Sequence, residues 1–340
     1  MKLMIFGAGG FIGSNLVEHL IAEGAHEIIG VDVTADKLEG IEGPSFEFIE
    51  ADITGADGLV GDLVAGCDVV VDLIAYANPS IYVESPLDVV RLNFFENMKI
   101  LEAAIEHDKR LIQYSTSEVY GKRSTDSVFR EDESDLIMGP INKQRWIYAS
   151  AKQLLERIIY AHGLRGDLRY TMIRPFNFIG PRFDYLVPAA TKGGPRVFAH
   201  FMSALLTGGP VYLVDGGHRH RCFTHIQDTN EAFSVMLEDD RAVNEIYNVG
   251  NPDTNVSVRG LADLMMRLYE DLTGVTPANE FIDIDGEEFY GKGYEDMDRV
   301  PPDISKLRAL GWEPTRDLET TFRDAMAYHL DPKVHATITG

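Results

Sequence analysis

The sequence predicts an α/β fold in which a doubly wound parallel sheet carries a smaller C-terminal α/β substrate lobe. A short apolar run at the N-terminus leads directly into a glycine-rich turn and then into apolar residues at helical spacing. Further apolar runs follow, separated by segments of helix length. Strands that alternate with helices in this way are typical of a parallel sheet. The alternation stops after Gly180, and this change predicts the second lobe.

The first strand and turn predict a Rossmann-type dinucleotide site. Lys2 to Phe6 has the length of a buried strand, and a glycine-rich turn follows it. In this context the first glycine permits a tight turn, the middle one lets the backbone approach a pyrophosphate, and the last lets helix and strand pack closely. The residues predicted to bind the cofactor here are Gly7, Gly10, Phe11, Ile12 and Gly13.

The ends of the next three strands supply the other predicted cofactor contacts. Asp32 ends the second strand, where an acid binds the ribose 2′-hydroxyl and repels a 2′-phosphate, which favours NAD over NADP. Asp52 and Ile53 follow the third strand and are predicted to contact the adenine edge, although an exposed loop acid explains Asp52 equally well. Ala75 leaves the fourth strand near the expected position of the nicotinamide.

A tyrosine and a lysine four residues apart, Tyr148 and Lys152, stack on one face of a predicted helix. A phenol with a pKa of about 10 is a poor base at neutral pH, but a nearby cation stabilises the phenolate. Tyr148 is therefore a candidate base for a substrate hydroxyl, with Thr116 or Ser115 hydrogen-bonding the same oxygen. This spacing is also typical of an ordinary exposed helix pair. The surrounding sequence therefore has to distinguish a catalytic pair from a surface pair.

Composition excludes several classes of partner. The net charge of −23 argues against nucleic acid and anionic membranes, which select basic surfaces. No run reaches the roughly 18 to 20 apolar residues that span a bilayer, and the N-terminus lacks a signal-peptide pattern. Cys67 and Cys222 are too few for a disulfide framework and match no metal-site spacing. We therefore expect a cytoplasmic protein that holds no metal.

The domain boundaries follow from where the alternation stops and resumes. We predict a NAD-binding domain at residues 1–180, to which residues 222–252 return, and a substrate lobe formed mainly by residues 181–221 and 253–340. Two long helices, from Pro86 to Glu106 and from Trp146 onward, carry apolar stripes. They suggest a homodimer, although burial within one chain explains them equally well.

The glycine turn combined with Tyr148-x-x-x-Lys152 resembles the extended short-chain dehydrogenase/reductase family, whose members act mainly on nucleotide-linked sugars. The likeness covers essentially the whole chain. Several stretches are similar to its UDP-glucuronate decarboxylating branch: Ser115 to Gly121, Gly139 to Tyr148, Lys152 to Leu155, Arg174 to Arg182, Asp215 to Gly217, Arg221 to Thr224 and Tyr290 to Tyr294.

The resemblance implies NAD as the cofactor, a UDP-sugar as the substrate and a role for each matching residue. Tyr148 is the base, Lys152 binds the nicotinamide ribose and tunes Tyr148, and Thr116 holds the sugar 4-hydroxyl. Ser117 and Glu118 face C5 and C6, which makes Glu118 the fourth predicted catalytic residue. The predicted substrate-binding residues are Ser117, Asn177, Arg182, Arg196, Arg221, Tyr294 and Arg299. Arg196 and Arg221 are equally explained as surface ion-pair partners.

The implied reaction is oxidative decarboxylation of a UDP-uronic acid, with a nucleotide-sugar 4-epimerase as the alternative. Dehydratases of the family place an aspartic acid where this chain has Ser117, and epimerases generally carry small residues around Glu118. Apiose-forming members have cysteines at the positions of Ala77 and Ser117, so ring contraction is not expected. A non-catalytic NAD-binding scaffold is disfavoured because Thr116, Tyr148 and Lys152 are all present.

One position departs from the branch. An arginine that contacts the substrate carboxylate is replaced by Val300, and Arg299 precedes it. Either the local loop is shifted so that Arg299 serves in its place, or the enzyme handles C5 differently.

Overall fold

The structure is a computed structural model that describes residues 1–55, 58–122, 128–183, 186, 196–295 and 301–334. The strands in these ranges are β1 (Lys2–Phe6), β2 (Glu27–Asp32), β3 (Phe46–Glu50), β4 (Val69–Asp72), β5 (Arg110–Tyr114), β6 (Tyr170–Pro175), β7 (Phe178–Ile179), β8 (Val211–Val214), β9 (His220–Arg221), β10 (Thr224–His225), β11 (Glu245–Val249), β12 (Val256–Ser257) and β13 (Phe281–Ile284). The α-helices are α1 (Phe11–Glu23), α2 (Leu59–Ala65), α3 (Pro79–Glu84), α4 (Pro86–Val90), α5 (Asn97–Glu106), α6 (Ile147–Arg165), α7 (Val197–Thr207), α8 (Ile226–Glu238), α9 (Val258–Thr273), α10 (Gly286–Tyr290), α11 (Ser305–Arg308) and α12 (Leu318–Leu330).

Seven of the strands in the described ranges form one sheet in the order β11-β6-β5-β4-β1-β2-β3. Every pairing in this sheet is parallel. The chain proceeds outward from β1 in one direction through β2 and β3, and then in the other direction from β4. The loops after β1 and β4 therefore diverge, which opens a crevice at the carboxyl edge of the sheet. The predicted doubly wound α/β fold is confirmed.

The sheet is buried on both faces because its strands alternate between two apolar cores. Leu3 and Ile5 of β1 point into one cluster, and Met4 and Phe6 point into the other. This two-residue period places helices on each face, as expected for parallel strands. Residue 181 onward contributes smaller pairs of strands, including the parallel pair β8–β13 beside α7 and α9. The exact boundaries of the two lobes stay a prediction.

The two long helices differ in regularity. Helix α6 is continuous and ends at Gly166, whose φ of 79° suits a left-handed C-cap. The helix predicted from Pro86 to Glu106 is interrupted by a π-helical segment at Arg91–Glu96, between α4 and α5. Within the described ranges, no helix has both the length and the apolar character needed to cross a bilayer.

A buried ion pair joins helix α6 to strand β6. Arg174 donates from Nε and Nη2 to the two carboxylate oxygens of Glu156, at 3.0 and 2.7 Å, and both side chains are at most 5% exposed. Arg174 also donates to the hydroxyl of Tyr120 at 2.9 Å. Burial lowers the pKa of Arg174, but the Glu156 carboxylate outweighs this effect and raises it. The pair therefore holds the helix that carries Tyr148 against the sheet.

Replacing Glu156 by alanine leaves the Arg174 charge buried without its carboxylate. We expect the free energy of unfolding to fall by about 3–5 kcal/mol. Chemical denaturation monitored by circular dichroism measures it. Glu313→Ala is the control, because the Arg308–Glu313 pair is about half exposed and its loss should cost less than about 1 kcal/mol. Equal losses in the two variants would contradict this account of Arg174.

Candidate active site

A cleft of about 500 Å³ lies at the carboxyl edge of the sheet. Its walls come from the loops after β1, β4, β5 and β6 and from the segments around α7 and α10. It shares Gly10, Phe11 and Arg196 with a second recess of about 240 Å³, which also contains Asp32, Thr34 and Lys37. The two spaces form a continuous path from the end of β2 to Tyr148, the shape that an extended dinucleotide requires.

The glycine-rich turn leaves no room for side chains. Gly7 has a φ of 87°, in the region that favours glycine. A Cβ on Gly9 would lie 2.0 Å from the carbonyl oxygen of Thr34, and a Cβ on Gly13 would lie 2.2 Å from that of Gly7. Gly10 caps the N-terminus of α1, whose first turn contains no acidic residue. The turn therefore fits a pyrophosphate at the helix N-terminus.

Asp32 is tied to the same turn. Its carboxylate accepts hydrogen bonds from the backbone N–H of Gly9 at 2.9 Å and of Val33 at 2.7 Å. Burial raises the pKa of Asp32, and these backbone donors oppose that rise. Asp32 lines the recess at the far end of the path from Tyr148. This is the place that the ribose of an adenosine would take, so the residues fit NAD.

Some of the other predicted cofactor residues line the cleft and some do not. Ala75 lines the cleft, together with Gly7, Gly10, Phe11, Ile12 and Gly13. Asp52 is exposed and accepts hydrogen bonds from the N–H and hydroxyl of Thr54, which lower its pKa. Ile53 is 3% exposed and packs in the core. Neither residue is among those that line the two recesses, and their adenine contacts stay a prediction.

The segment after β5 presents hydroxyl groups to the cleft. Ser115 and Thr116 both line it. The hydroxyl oxygen of Thr116 accepts a hydrogen bond from the N–H of Glu118 at 3.1 Å, which caps the short 3₁₀ turn Ser117–Tyr120. This contact orients the Thr116 hydroxyl at the strand end. Ser117 is 2% exposed within the turn and is not among the lining residues.

Lys152 lies behind Tyr148 and is almost completely buried. Its ammonium group donates to the side-chain oxygen of Asn97 at 2.9 Å and to the carbonyl oxygen of Tyr114 at 3.2 Å. Burial lowers the pKa of Lys152, and the buried carboxylate of Asp72 opposes that change. Tyr148 itself lines the cleft. Tyr148 thus borders the cleft, whereas Lys152, four residues later on the same helix, is not among the lining residues.

Two residues that the sequence did not single out complete this wall. Tyr82 stacks on the ring of Tyr148 with the centroids 4.7 Å apart and the planes 9° from parallel. Arg145 donates from Nη1 to Glu118 at 2.8 Å, and both side chains are buried beside the cleft. The spacing of Arg145 before Tyr148 was visible in the sequence, but its pairing with Glu118 depends on the fold.

Most of the predicted substrate-binding residues line the cleft. Asn177, Arg196, Arg221 and Tyr294 line the cleft. Asn177 donates to the carbonyl oxygen of Cys222 at 2.7 Å, and the Arg196 guanidinium lies 4.1 Å from the ring centroid of Phe183. Arg219, which the sequence did not single out, adds a further cation. Several arginines among the lining residues suit a diphosphate.

Two further predicted substrate residues, besides Ser117, are not seen at the cleft. The guanidinium of Arg182 donates to Asn15 and Glu18 on α1, and Arg182 is not among the residues that line the cleft. Arg299, with Val300 beside it, falls outside the described residues. A substrate role for either arginine stays a prediction.

A dinucleotide turn, an acid at the end of the next strand and a Tyr–Lys pair beside strand-end hydroxyls define a nicotinamide-dependent enzyme that acts on an alcohol or a ketone. Residues 3–250 match the NAD dependent epimerase/dehydratase family, and the chain belongs to this family. The predicted resemblance and the predicted use of NAD are confirmed.

Individual relatives agree with this assignment. The UDP-D-apiose/UDP-D-xylose synthase of Oryza sativa subsp. japonica is 40% identical over an alignment 354 positions long, which covers 96% of this chain and 89% of that protein. The crystal structure of the PbgP3 protein from Burkholderia pseudomallei has a TM-score of 0.86 and 33% identity, with 99% of this chain and 98% of that chain covered.

A UDP-glucuronic acid 4-epimerase from Bacillus cereus, solved with UDP-glucuronic acid and NAD, has a TM-score of 0.79 and 23% identity over 96% of this chain and 98% of that chain. At this identity it supports the fold alone.

The glycine turn generates a direct test of the cofactor site. In Gly9→Ala the new Cβ would collide with the backbone of Thr34, so the turn has to open and the NAD dissociation constant should rise by about tenfold or more. Isothermal titration measures it. Gly61→Ala in α2 is the control, since its Cβ would find His107 at 3.9 Å and alanine suits a helix. Wild-type affinity in Gly9→Ala would show that the turn does not hold the pyrophosphate.

Proposed function

We propose that the protein catalyses NAD-dependent oxidative decarboxylation of a UDP-uronic acid, with UDP-glucuronate as the substrate. The product is a UDP-pentose or a UDP-4-keto-pentose. The observation that carries this proposal is the buried Glu118–Arg145 ion pair beside Thr116 and Tyr148 in one cleft. The 40% identity to a protein named for UDP-xylose and UDP-apiose synthesis supports the same substrate class.

The chain's own groups suit the removal of a proton from the sugar 4-hydroxyl. Tyr148 takes that proton, and the Lys152 ammonium favours the phenolate that does so. Thr116, anchored through Glu118 N–H, holds the same oxygen. NAD held by the glycine-rich turn and Asp32 would supply the acceptor for the hydride that leaves C4. Stacked Tyr82 limits the rotation of the Tyr148 ring and keeps water from that side.

The Glu118–Arg145 pair is suited to the later chemistry at C5 and C6. A ketone at C4 makes the substrate a β-keto acid. Its carboxylate leaves as CO2 because the bonding electrons delocalise into the ketone, and a proton from an acid or from water is then added at C5. The Arg145 guanidinium brings positive charge to the side of the cleft where a uronate carboxylate would lie, a geometry that planar guanidinium groups favour. Glu118 is held at 2.8 Å from Arg145, and this fixed position supports its proposed role at C5.

Analysis of the products tests this function. The purified protein is incubated with NAD and UDP-glucuronate, and the nucleotide products are analysed by mass spectrometry. Loss of one CO2 per molecule is expected, while UDP-glucose under the same conditions should lose none. A product of unchanged mass with inverted C4 would make the enzyme an epimerase instead. A product with a contracted ring would contradict the expectation drawn from Ala77 and Ser117.

Tyr148→Phe isolates the base. The variant keeps the ring that stacks on Tyr82 but loses the hydroxyl, so turnover should fall by about 10² to 10⁴. The affinity for NAD should stay close to that of the wild type, which titration checks. Wild-type turnover in this variant would remove Tyr148 from the mechanism.

We infer a homodimer built on helices α4 to α6. Large apolar side chains remain exposed on these helices, including Leu87 at 81%, Leu154 at 49% and Leu164 at 74%. Phe95 in the π-helical segment is also exposed, at 59%.

Both described cysteines are buried free thiols, which is consistent with a reducing, cytoplasmic compartment.

The oligomeric state has a simple test. In size-exclusion chromatography with light scattering, the wild-type protein should have the mass of two chains. Leu154→Asp should have the mass of one chain, because the dimer interface would bury the unpaired aspartate charge, which is unfavourable. Val275→Asp is the control, since Val275 is 57% exposed but lies beyond α9. A monomeric wild type, or equal effects of the two variants, would contradict an interface on α6.

A further inference from the structure

Glu295 connects the wall that carries Tyr294 to the segment just before the helix of Tyr148. One carboxylate oxygen accepts from the ammonium of Lys122 at 2.7 Å, and the other accepts from the indole N–H of Trp146 at 2.8 Å. Lys122 closely follows the turn of Glu118, and Trp146 immediately precedes α6. Lys122, Trp146 and Glu295 together form the Glu295 clamp.

The Trp146 end of the clamp is rigid. The indole is 3% exposed and covers Gly139 so closely that a Cβ there would lie 2.1 Å from its nitrogen. The guanidinium of Arg145 lies 5.0 Å from the indole centroid and the ammonium of Lys122 lies 5.9 Å from it. Arg145 in turn pairs with Glu118 at 2.8 Å. Trp146 therefore stands one residue from an ion pair of the active site.

The other end of the clamp is a short segment with its own attachment. Tyr294 lines the cleft and stacks on Tyr290 with centroids 4.3 Å apart. Glu287 accepts from Lys143 at 2.7 Å and from the N–H of Gly293 at 3.2 Å. Lys143 lies three residues before Trp146, so two contacts join the same two parts of the chain. They bring the Tyr290–Glu295 segment against the approach to α6.

We propose that Glu295 is a positioning residue that holds Tyr294 over the nucleotide-sugar site. The inference rests on the proposed function, because it takes a UDP-sugar as the group that Tyr294 covers. Of the two contacts on Glu295, the hydrogen bond from Trp146 contributes more to holding the segment in place. Its donor is buried and rigid, whereas Lys122 is 40% exposed and an exposed ion pair contributes little.

Four variants separate these contributions. Glu295→Ala removes the acceptor, Glu295→Gln keeps an oxygen for Trp146 but loses the charge, Trp146→Phe keeps a ring but loses the N–H, and Lys122→Met removes the cation. The dissociation constant of UDP is measured by titration without turnover, alongside that of NAD. KM and kcat for UDP-glucuronate are then measured for each variant.

The expected results differ by contact. Glu295→Ala and Trp146→Phe should each raise the UDP dissociation constant and KM by about tenfold. This is the lower end of the effect expected when a hydrogen bond to a charged group is lost. The value of kcat should change less, and the affinity for NAD should stay unchanged. Glu295→Gln should recover part of the loss, and Lys122→Met should change UDP binding by less than about threefold. The control is Glu245→Gln, whose carboxylate on β11 pairs with Lys306 and should leave all constants unchanged.

Two outcomes would overturn the inference. One is wild-type UDP affinity and KM in both Glu295→Ala and Trp146→Phe, and the other is an equal loss of NAD affinity in Glu295→Ala, which would indicate a general loss of structure. Because Trp146→Phe can disturb packing on Gly139, Glu295→Ala at a partly exposed position keeps the test decisive. A wild type that binds UDP but releases no CO2 from UDP-glucuronate would contradict only the proposed function.

Discussion

The burial of the Lys152 ammonium group is the constraint around which the active site is arranged. A cation inside a protein requires partners, and Lys152 obtains them from the carbonyl at the end of β5 and from Asn97 on α5. Asp72, at the end of β4, supplies an opposite charge, although its second oxygen has no hydrogen-bond partner among the described residues. Three elements must therefore meet at one point for the cation to be tolerated. The same meeting point places Tyr148 at the cleft.

The positions of Glu118 and Tyr148 are maintained by other buried charges. Arg174 and Glu156 hold α6 to β6, and Arg145 holds Glu118 beside the cleft. Both pairs are almost completely excluded from solvent. Removing one partner therefore leaves the other charge buried with neither a counter-ion nor water to stabilise it. Tyr148 and Thr116 lie on a helix and at a strand end that these pairs fix, which is why the small side chain of Thr116 can be oriented by one backbone hydrogen bond.

The fold and the centre of the site were predictable because they depend on local patterns. The glycine turn, Asp32 and the Tyr148–Lys152 pair belong to contiguous segments whose geometry follows from strand and helix periods. The partners of these residues were not predictable. Gly9 has to be glycine because Thr34 approaches it, and Tyr82 and Arg145 reach Tyr148 and Glu118 only after the sheet has assembled. Arg182 fits the family pattern, yet its guanidinium lies against α1, which no local pattern indicates.

The π-helical segment at Arg91–Glu96 fixes the number of residues between α4 and α5, because the asparagines in and just after it must both reach the loop after β4. Asn93, inside the segment, accepts from the N–H of Tyr76 at 2.7 Å and donates to its carbonyl at 3.0 Å. Asn97, just after it, donates to the carbonyl of Ile74 at 3.2 Å while accepting from Lys152. A π turn contains one residue more than an α turn. Deleting a single residue here would rotate one asparagine away from the loop after β4. A length change that an ordinary surface helix tolerates would therefore separate Lys152 from its hydrogen-bond partner Asn97.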